Sequence, residues 1–146
     1  MPYTDNFDTY GTGSTIYPAC WSKINTYSSD RPYISTTNYS APGSMYFYAG
    51  TSGTYNIAIT PQFDASIPVN TLQATFMYKG SNSSDKLIIG VISDPLDAST
   101  FTPVDTVYNS TVWDEYEVNF ANYTGNGQYI AFKNVYNSTS SAYAYL

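Results

Sequence analysis

Histidine is missing from this chain altogether, and cysteine occurs once, at Cys20. Without histidine there is no Ser-His-Asp or Cys-His nucleophile and no imidazole to hold zinc, so the commonest routes to hydrolysis at neutral pH are closed. One cysteine excludes an intrachain disulfide framework and a thiolate metal cluster, and in Tyr17-Pro-Ala-Cys-Trp21 it reads as a small buried hydrophobe. Basic residues number five (Lys23, Arg31, Lys79, Lys86, Lys133), scattered singly within a chain of net charge −6. No basic stripe exists to meet phosphates, which argues against nucleic acid and anionic membranes as partners. No apolar run approaches the roughly 18 residues needed to cross a bilayer, so membrane insertion is not expected. The opening Met1–Tyr10 lacks the basic-then-apolar pattern of a signal peptide, which fits a cytoplasmic protein or a module excised from a secreted one. With only 11% charged residues and a surface rich in Ser, Thr, Asn and Tyr, the extracellular module is favoured, as part of a larger multidomain protein.

What the chain has instead is tyrosine. Seventeen Tyr, seven Phe and two Trp sit among β-branched residues and Ser, Thr, Asn and Gly turns, a composition suited to pleated half-buried surfaces. So many phenols cannot all be core, because each buried hydroxyl needs a partner; a share must form flat amphipathic surface. The 146 residues suffice for one two-layer domain spanning 1–146. Leu87–Ile92 is too short for a helix and stops at the turn Ser93-Asp94-Pro95-Leu96-Asp97, so it reads as a strand buried on both faces. Other extended segments are Asn6–Tyr10 as an entry strand, Cys20–Ile24, Tyr33–Thr36, Met45–Ala49, Tyr55–Thr60, Gln73–Lys79, Val104–Tyr108, Trp113–Phe120, Gln128–Val135 and Ala142–Leu146. About ten short strands with turn chemistry between them predict an all-β, two-sheet antiparallel sandwich of jelly-roll topology.

Several pieces, in order, resemble the cleaved-adhesin or MAM-like jelly-roll modules of gingipain-type haemagglutinin-adhesins. Asn6-Phe-Asp-Thr-Tyr10 followed by Pro18-Ala-Cys-Trp21 is similar to the family's opening, and Tyr55–Asp64 to its strand ending in Thr-Pro. Gly90–Val104 resembles its Ser/Thr-rich turn after a core strand, and Trp113–Phe120 and Gly125–Val135 its Trp-initiated and Tyr-Ile-Ala-Phe strands. The resemblance implies a non-catalytic module of a secreted or surface protein, with a structural Ca²⁺. In the family, the last strand runs on into an Asp pair after the residues matched here by Tyr145-Leu146, and this sequence does not contain that pair.

Three constellations bear on function. Glu115 and Glu117 share one face of a strand, as a glycosidase pair would, but the pattern Glu-x-Asp-x-x-Glu of jelly-roll glucanases is absent and paired surface acids explain them. No enzyme is expected. Calcium needs several hard oxygens together; Asp5 and Asp8 are one candidate group, Asp8 strengthened by the resemblance, while Asp94 and Asp97 are equally explained as turn-forming residues. A sugar site would pair aromatic faces with a few polar groups. The candidates are Tyr27 and Tyr33 around Asp30 and Arg31, then Tyr46, Tyr48, Trp113, Tyr136 and Tyr143, with Tyr39 and Tyr145 nearby; Trp21 reads as core. Five Asn-x-Ser/Thr triplets, from Asn38, Asn82, Asn109, Asn122 and Asn137, are what so polar a composition yields by chance. The expected function is a monomeric carbohydrate-binding module taking polysaccharide or glycan. A protein-binding adhesin or a structural spacer is the alternative.

Overall fold

The computed structural model describes residues 3–81, 83–108, 110–136 and 142–146, with only the backbone for 142 and 143. Two five-stranded antiparallel sheets form the molecule. In the first, the strand order is β1 (Ser22–Asn25), β4 (Tyr55–Ile59), β9 (Tyr129–Val135), β6 (Lys86–Ile92), β7 (Phe101–Tyr108). In the second it is β2 (Tyr33–Ser35), β3 (Ser44–Ala49), β10 (Ala142–Tyr145), β5 (Gln73–Gly80), β8 (Asp114–Asn119). Two single turns of 3-10 helix, Val69–Thr71 and Ala98–Thr100, are the helical elements among the described residues. This is the expected jelly-roll sandwich.

Period-two patterning explains which side chains reach the core. Along β3, Met45, Phe47 and Ala49 are buried inward and leave Tyr46 and Tyr48 on the outer face. From the first sheet Ala58, Leu87, Ile89, Val91, Ile130 and Phe132 meet them, and each large aliphatic or aromatic side chain so buried contributes about 1.5–3 kcal/mol. Strand β6 is buried on both faces, as its composition predicts. Its outward Ile92 joins Ile57, Ile59 and Ala131 in a second, smaller apolar cluster on the outside of the first sheet. Tyr55, Phe101 and Tyr129 pack over that cluster, so the four residues beneath are fully buried. Gly90 makes this roof possible: an added Cβ would sit 2.7 Å from the Phe101 ring and 2.3 Å from the Thr102 carbonyl.

Three local expectations differ from the structure. Asn6–Tyr10 is a turn and not a strand: the Asp5 carboxylate accepts from the Phe7 amide at 2.9 Å, and Phe7 takes a left-handed φ of 62°. Strand β7 begins at Phe101 and not Val104, because Phe101 pairs with Ile92 in register. Cys20 is exposed at a positive φ of 70°, in the turn that lets Trp21 take the inward position. Residues 137–141, which include the Asn137 triplet, lie outside the described residues.

Candidate functional site

The outer face of the second sheet gathers most of the candidate aromatic residues. Pairing register places Tyr33 beside Tyr46, Tyr46 beside Tyr145, and Tyr145 beside Lys79, so one row crosses four strands. Directly paired residues share a face, which brings all four side chains to the same side. Tyr33 and Tyr46 meet edge to face at 5.2 Å between centroids, and Tyr46 stacks on Tyr145 at 5.0 Å and 27°. Trp113, just before β8, continues the row at 6.3 Å from Tyr145, and Tyr39 lies 6.1 Å beyond it. A second row carries Tyr48, which meets Tyr27 at 5.0 Å, edge to face. Such pairs contribute about 0.5–1.5 kcal/mol beyond their burial and hold the rings as a preformed surface.

Arg31 lies against these rings. Its guanidinium carbon is 4.6 Å from the Tyr33 ring centre, 5.4 Å from Tyr46 and 5.9 Å from Tyr48. Its Nη1 donates to the Asp30 carbonyl at 2.7 Å, while its Nε is buried without an acceptor. The Asp30 carboxylate turns away and pairs with Lys23 at 2.8 Å. Acids stand at the opposite edge of the same face, where Glu115 and Glu117 on β8 face Met77 and Thr75. Of the predicted residues, then, Tyr27, Arg31, Tyr33, Tyr46, Tyr48 and Trp113 come together, and Asp30 borders them. Tyr136 follows β9 in the other sheet, its amide donating to the Thr54 carbonyl, and the Tyr143 side chain lies outside the described residues. Sequence reasoning misses Lys79; the alternation of Gln73–Lys79, set against Ala142–Leu146, is the signal that would have placed it.

Beside the platform opens a cavity of about 650 Å³. Among the described residues β10 pairs with β5 at Lys79 and Gly80 alone, so along Gln73–Met77 none of them forms a neighbouring strand on that edge of β5, and the interior is reached from the face. Its lining runs from exposed Tyr39 through Trp113 and Glu115 to Trp21, Phe63 and buried Phe132. Trp21 is core, as expected: it packs on Phe7 at 5.5 Å and Phe132 at 6.4 Å.

Asp5 anchors the Trp21 end of that lining. Its Oδ2 accepts from Trp21 Nε1 at 3.0 Å, Tyr10 Oη at 3.0 Å and Tyr3 Oη at 3.2 Å, and its Oδ1 from the Phe7 amide. Burial, with the Asp5 charge beside it, pushes the Tyr3 phenol up to about 12. Four donors leave Asp5 poorly suited to a calcium ion, which competes for the same lone pairs. Asp8 fits better: Oδ2 accepts from Asn6 Nδ2 at 2.6 Å, but Oδ1 is buried with no donor. Among the described residues no three acidic, cysteine or histidine side chains converge as a metal cluster. Asp94 and Asp97 are turn residues, accepting from the Leu96 and Ser99 amides at 2.9 Å each.

No protein-family profile matches the chain, and no curated protein matches it in sequence. Solved structures do match in fold. The K2 cleaved adhesin domain of Lys-gingipain is similar over 99% of this chain and 98% of its own, at a TM-score of 0.71 and 13% identity. The family 30 carbohydrate-binding module of a Clostridium thermocellum cellulosomal cellulase covers 88% of each chain at a TM-score of 0.58 and 13% identity. The family 11 module from Clostridium thermocellum, solved with a β-1,3-1,4-mixed-linked tetrasaccharide, covers 97% of this chain and 90% of its own at 0.55 and 14%. The architecture is that of cleaved adhesin domains and carbohydrate-binding modules, as the sequence resemblance implies. Among the described residues no helix is long and apolar enough to cross a membrane.

Proposed function

We propose that this domain is a non-catalytic carbohydrate-binding module, and that the outer face of the second sheet is its binding surface. The observation that carries the reading is the row of mutually packed rings, Tyr33, Tyr46, Tyr145 and Trp113, on the outer face of the second sheet. Apolar ring faces stack on pyranose C–H faces, while Arg31, Lys79 and the Glu115 side offer hydrogen bonds to hydroxyls. Because the rings hold one another, little conformational entropy is lost on binding. With no histidine in the chain and Glu115 and Glu117 on an open strand edge, binding without turnover is the fitting chemistry. The fold shared with carbohydrate-binding modules supports this reading and an extracellular setting. Trp113 reports on the test: a glycan on the platform changes its fluorescence, and Trp113→Phe removes that signal, leaving only that of Trp21, which lines the cavity. A glycan response that survives in Trp113→Phe places the ligand elsewhere.

A second reading, a protein-binding adhesin module, is favoured by the near-complete overlap with the gingipain adhesin domain. The same rings would then anchor a protein interface. The two readings part on whether a free oligosaccharide competes with the partner. Calcium is a further proposal, at Asp8 alone: the ion would satisfy the unpartnered Oδ1 and fix the Asn6–Tyr10 turn. A melting temperature raised by Ca²⁺ in the parent and unmoved in Asp8→Asn supports it; equal response in both overturns it.

A further inference from the structure

The platform has two cations, and among the described residues its acids, Glu115 and Glu117, lie at the β8 edge, beside Lys79 and far from Arg31. Among the described residues the one ion pair is Lys23 with Asp30, which takes the nearest carboxylate away from Arg31. Arg31 is incompletely satisfied: Nη1 donates to a backbone carbonyl, and Nε is buried with no acceptor. The guanidinium carbon lies 4.6, 5.4 and 5.9 Å from three tyrosine ring centres, contacts that restrain a planar group suited to bidentate recognition of a carboxylate. Lys79 stands in the same row as Tyr46 and Tyr145. The far edge is acidic, with Glu115 and Glu117 on β8, three strand spacings from β3, or about 14 Å. The face therefore has Arg31 at its β2–β3 end and acids at β8, with Lys79 on β5 beside Glu115, in a chain of net charge −6.

From this juxtaposition, and resting on the reading of the face as a glycan platform, we propose that the ligand is a glycan carrying an isolated carboxylate sugar, a uronate or sialic acid residue. Its carboxylate pairs with Arg31, and neutral sugars lie across Tyr46, Tyr145 and Trp113. A densely charged polyanion is disfavoured, because its next carboxylates would meet Glu115 and Glu117.

The test uses the full chain and a panel of glycan pairs. Glucuronoxylan oligosaccharides and sialylated oligosaccharides are each compared with their carboxyl-reduced twins, which keep the sugar and lose the charge. In the parent the acid form should bind about tenfold more tightly than its twin, and the advantage should shrink in high salt. Arg31→Gln should bring the pair to near equality, whereas Arg31→Lys should retain part of the preference. Equal binding of acid and twin in every pair that binds would overturn this inference and leave the platform reading standing. Failure of every glycan, charged or neutral, would overturn both.

Discussion

The two sheets present outer faces made of similar residues to opposite ends. Each carries three or more aromatic rings with a cation packed against them: Lys133 is 4.4 Å from the Tyr55 ring centre and 5.4 Å from Phe101 on the first sheet, as Arg31 is among Tyr33, Tyr46 and Tyr48 on the second. On the first sheet the rings roof Ile57, Ile59, Ile92 and Ala131, all wholly buried, so the aromatic residues complete a second small core. On the second sheet no comparable buried aliphatic cluster lies outside the strands among the described residues; the rings pack on one another, with the main core on the other side. Aromatic content alone does not make a binding face. What lies under the rings decides it.

Substitutions should separate the two faces sharply. Ile59→Ala removes fully buried methyl groups from beneath the roof and should cost about 2–5 kcal/mol in urea unfolding, without altering glycan affinity per folded molecule. Tyr46→Ala, which loses the ring pairs with Tyr33 and Tyr145 on the other face, should cost less, about 1–3 kcal/mol, and should weaken glycan binding. Equal losses from both would break the comparison and make the second face structural too.

Tyr78 lies between the faces, in the shared core, and its hydroxyl is buried with no hydrogen-bond partner. Removing an unpaired hydroxyl removes its desolvation cost, so Tyr78→Phe should be neutral or stabilising by up to about 1 kcal/mol. A loss of stability would show that the hydroxyl has a partner.

The smallest effect concerns Lys133, whose burial under the roof holds its ammonium below the usual lysine range. A lowered folded-state pKa means that the charged form is penalised in the folded protein. That penalty is complete below the folded pKa and vanishes once pH passes the ordinary value of 10.5. The parent should therefore gain on Lys133→Met as pH rises through this window, by less than about 1 kcal/mol because the group is still partly solvated. A stability difference that stays flat with pH would contradict the assigned burial.

The fold was largely legible from letters because each strand states its own faces. Met45–Ala49 alternates inward and outward, Leu87–Ile92 has no polar face, and in Gln128–Val135 Tyr129, Ala131 and Lys133 separate from Ile130 and Phe132 as the structure confirms. Asn6–Tyr10 was not legible, since the preceding Asp5 turns it by a side-chain hydrogen bond that no periodicity records. The site was legible in part. Tyr33, Tyr46 and Tyr48 stand out as outward tyrosines, but their union with Tyr145, Trp113 and Lys79 depends on β10 running between β3 and β5, a pairing between strands more than 60 residues apart in sequence. The roof was invisible for the same reason: Phe101 reads as part of a loop until its register with Ile92 is known.

The central question is whether the rings of the second sheet, and not those that roof the first, meet a ligand. Affinity chromatography of the parent, Tyr46→Ala and Tyr129→Ala on immobilised neutral and acidic glycans, with each variant first shown to be folded, puts the question directly. The prediction is retention of the parent and of folded Tyr129→Ala on at least one glycan, and affinity weaker by about tenfold or more for Tyr46→Ala. No retention of the parent on any glycan, or undiminished retention of Tyr46→Ala, would contradict it.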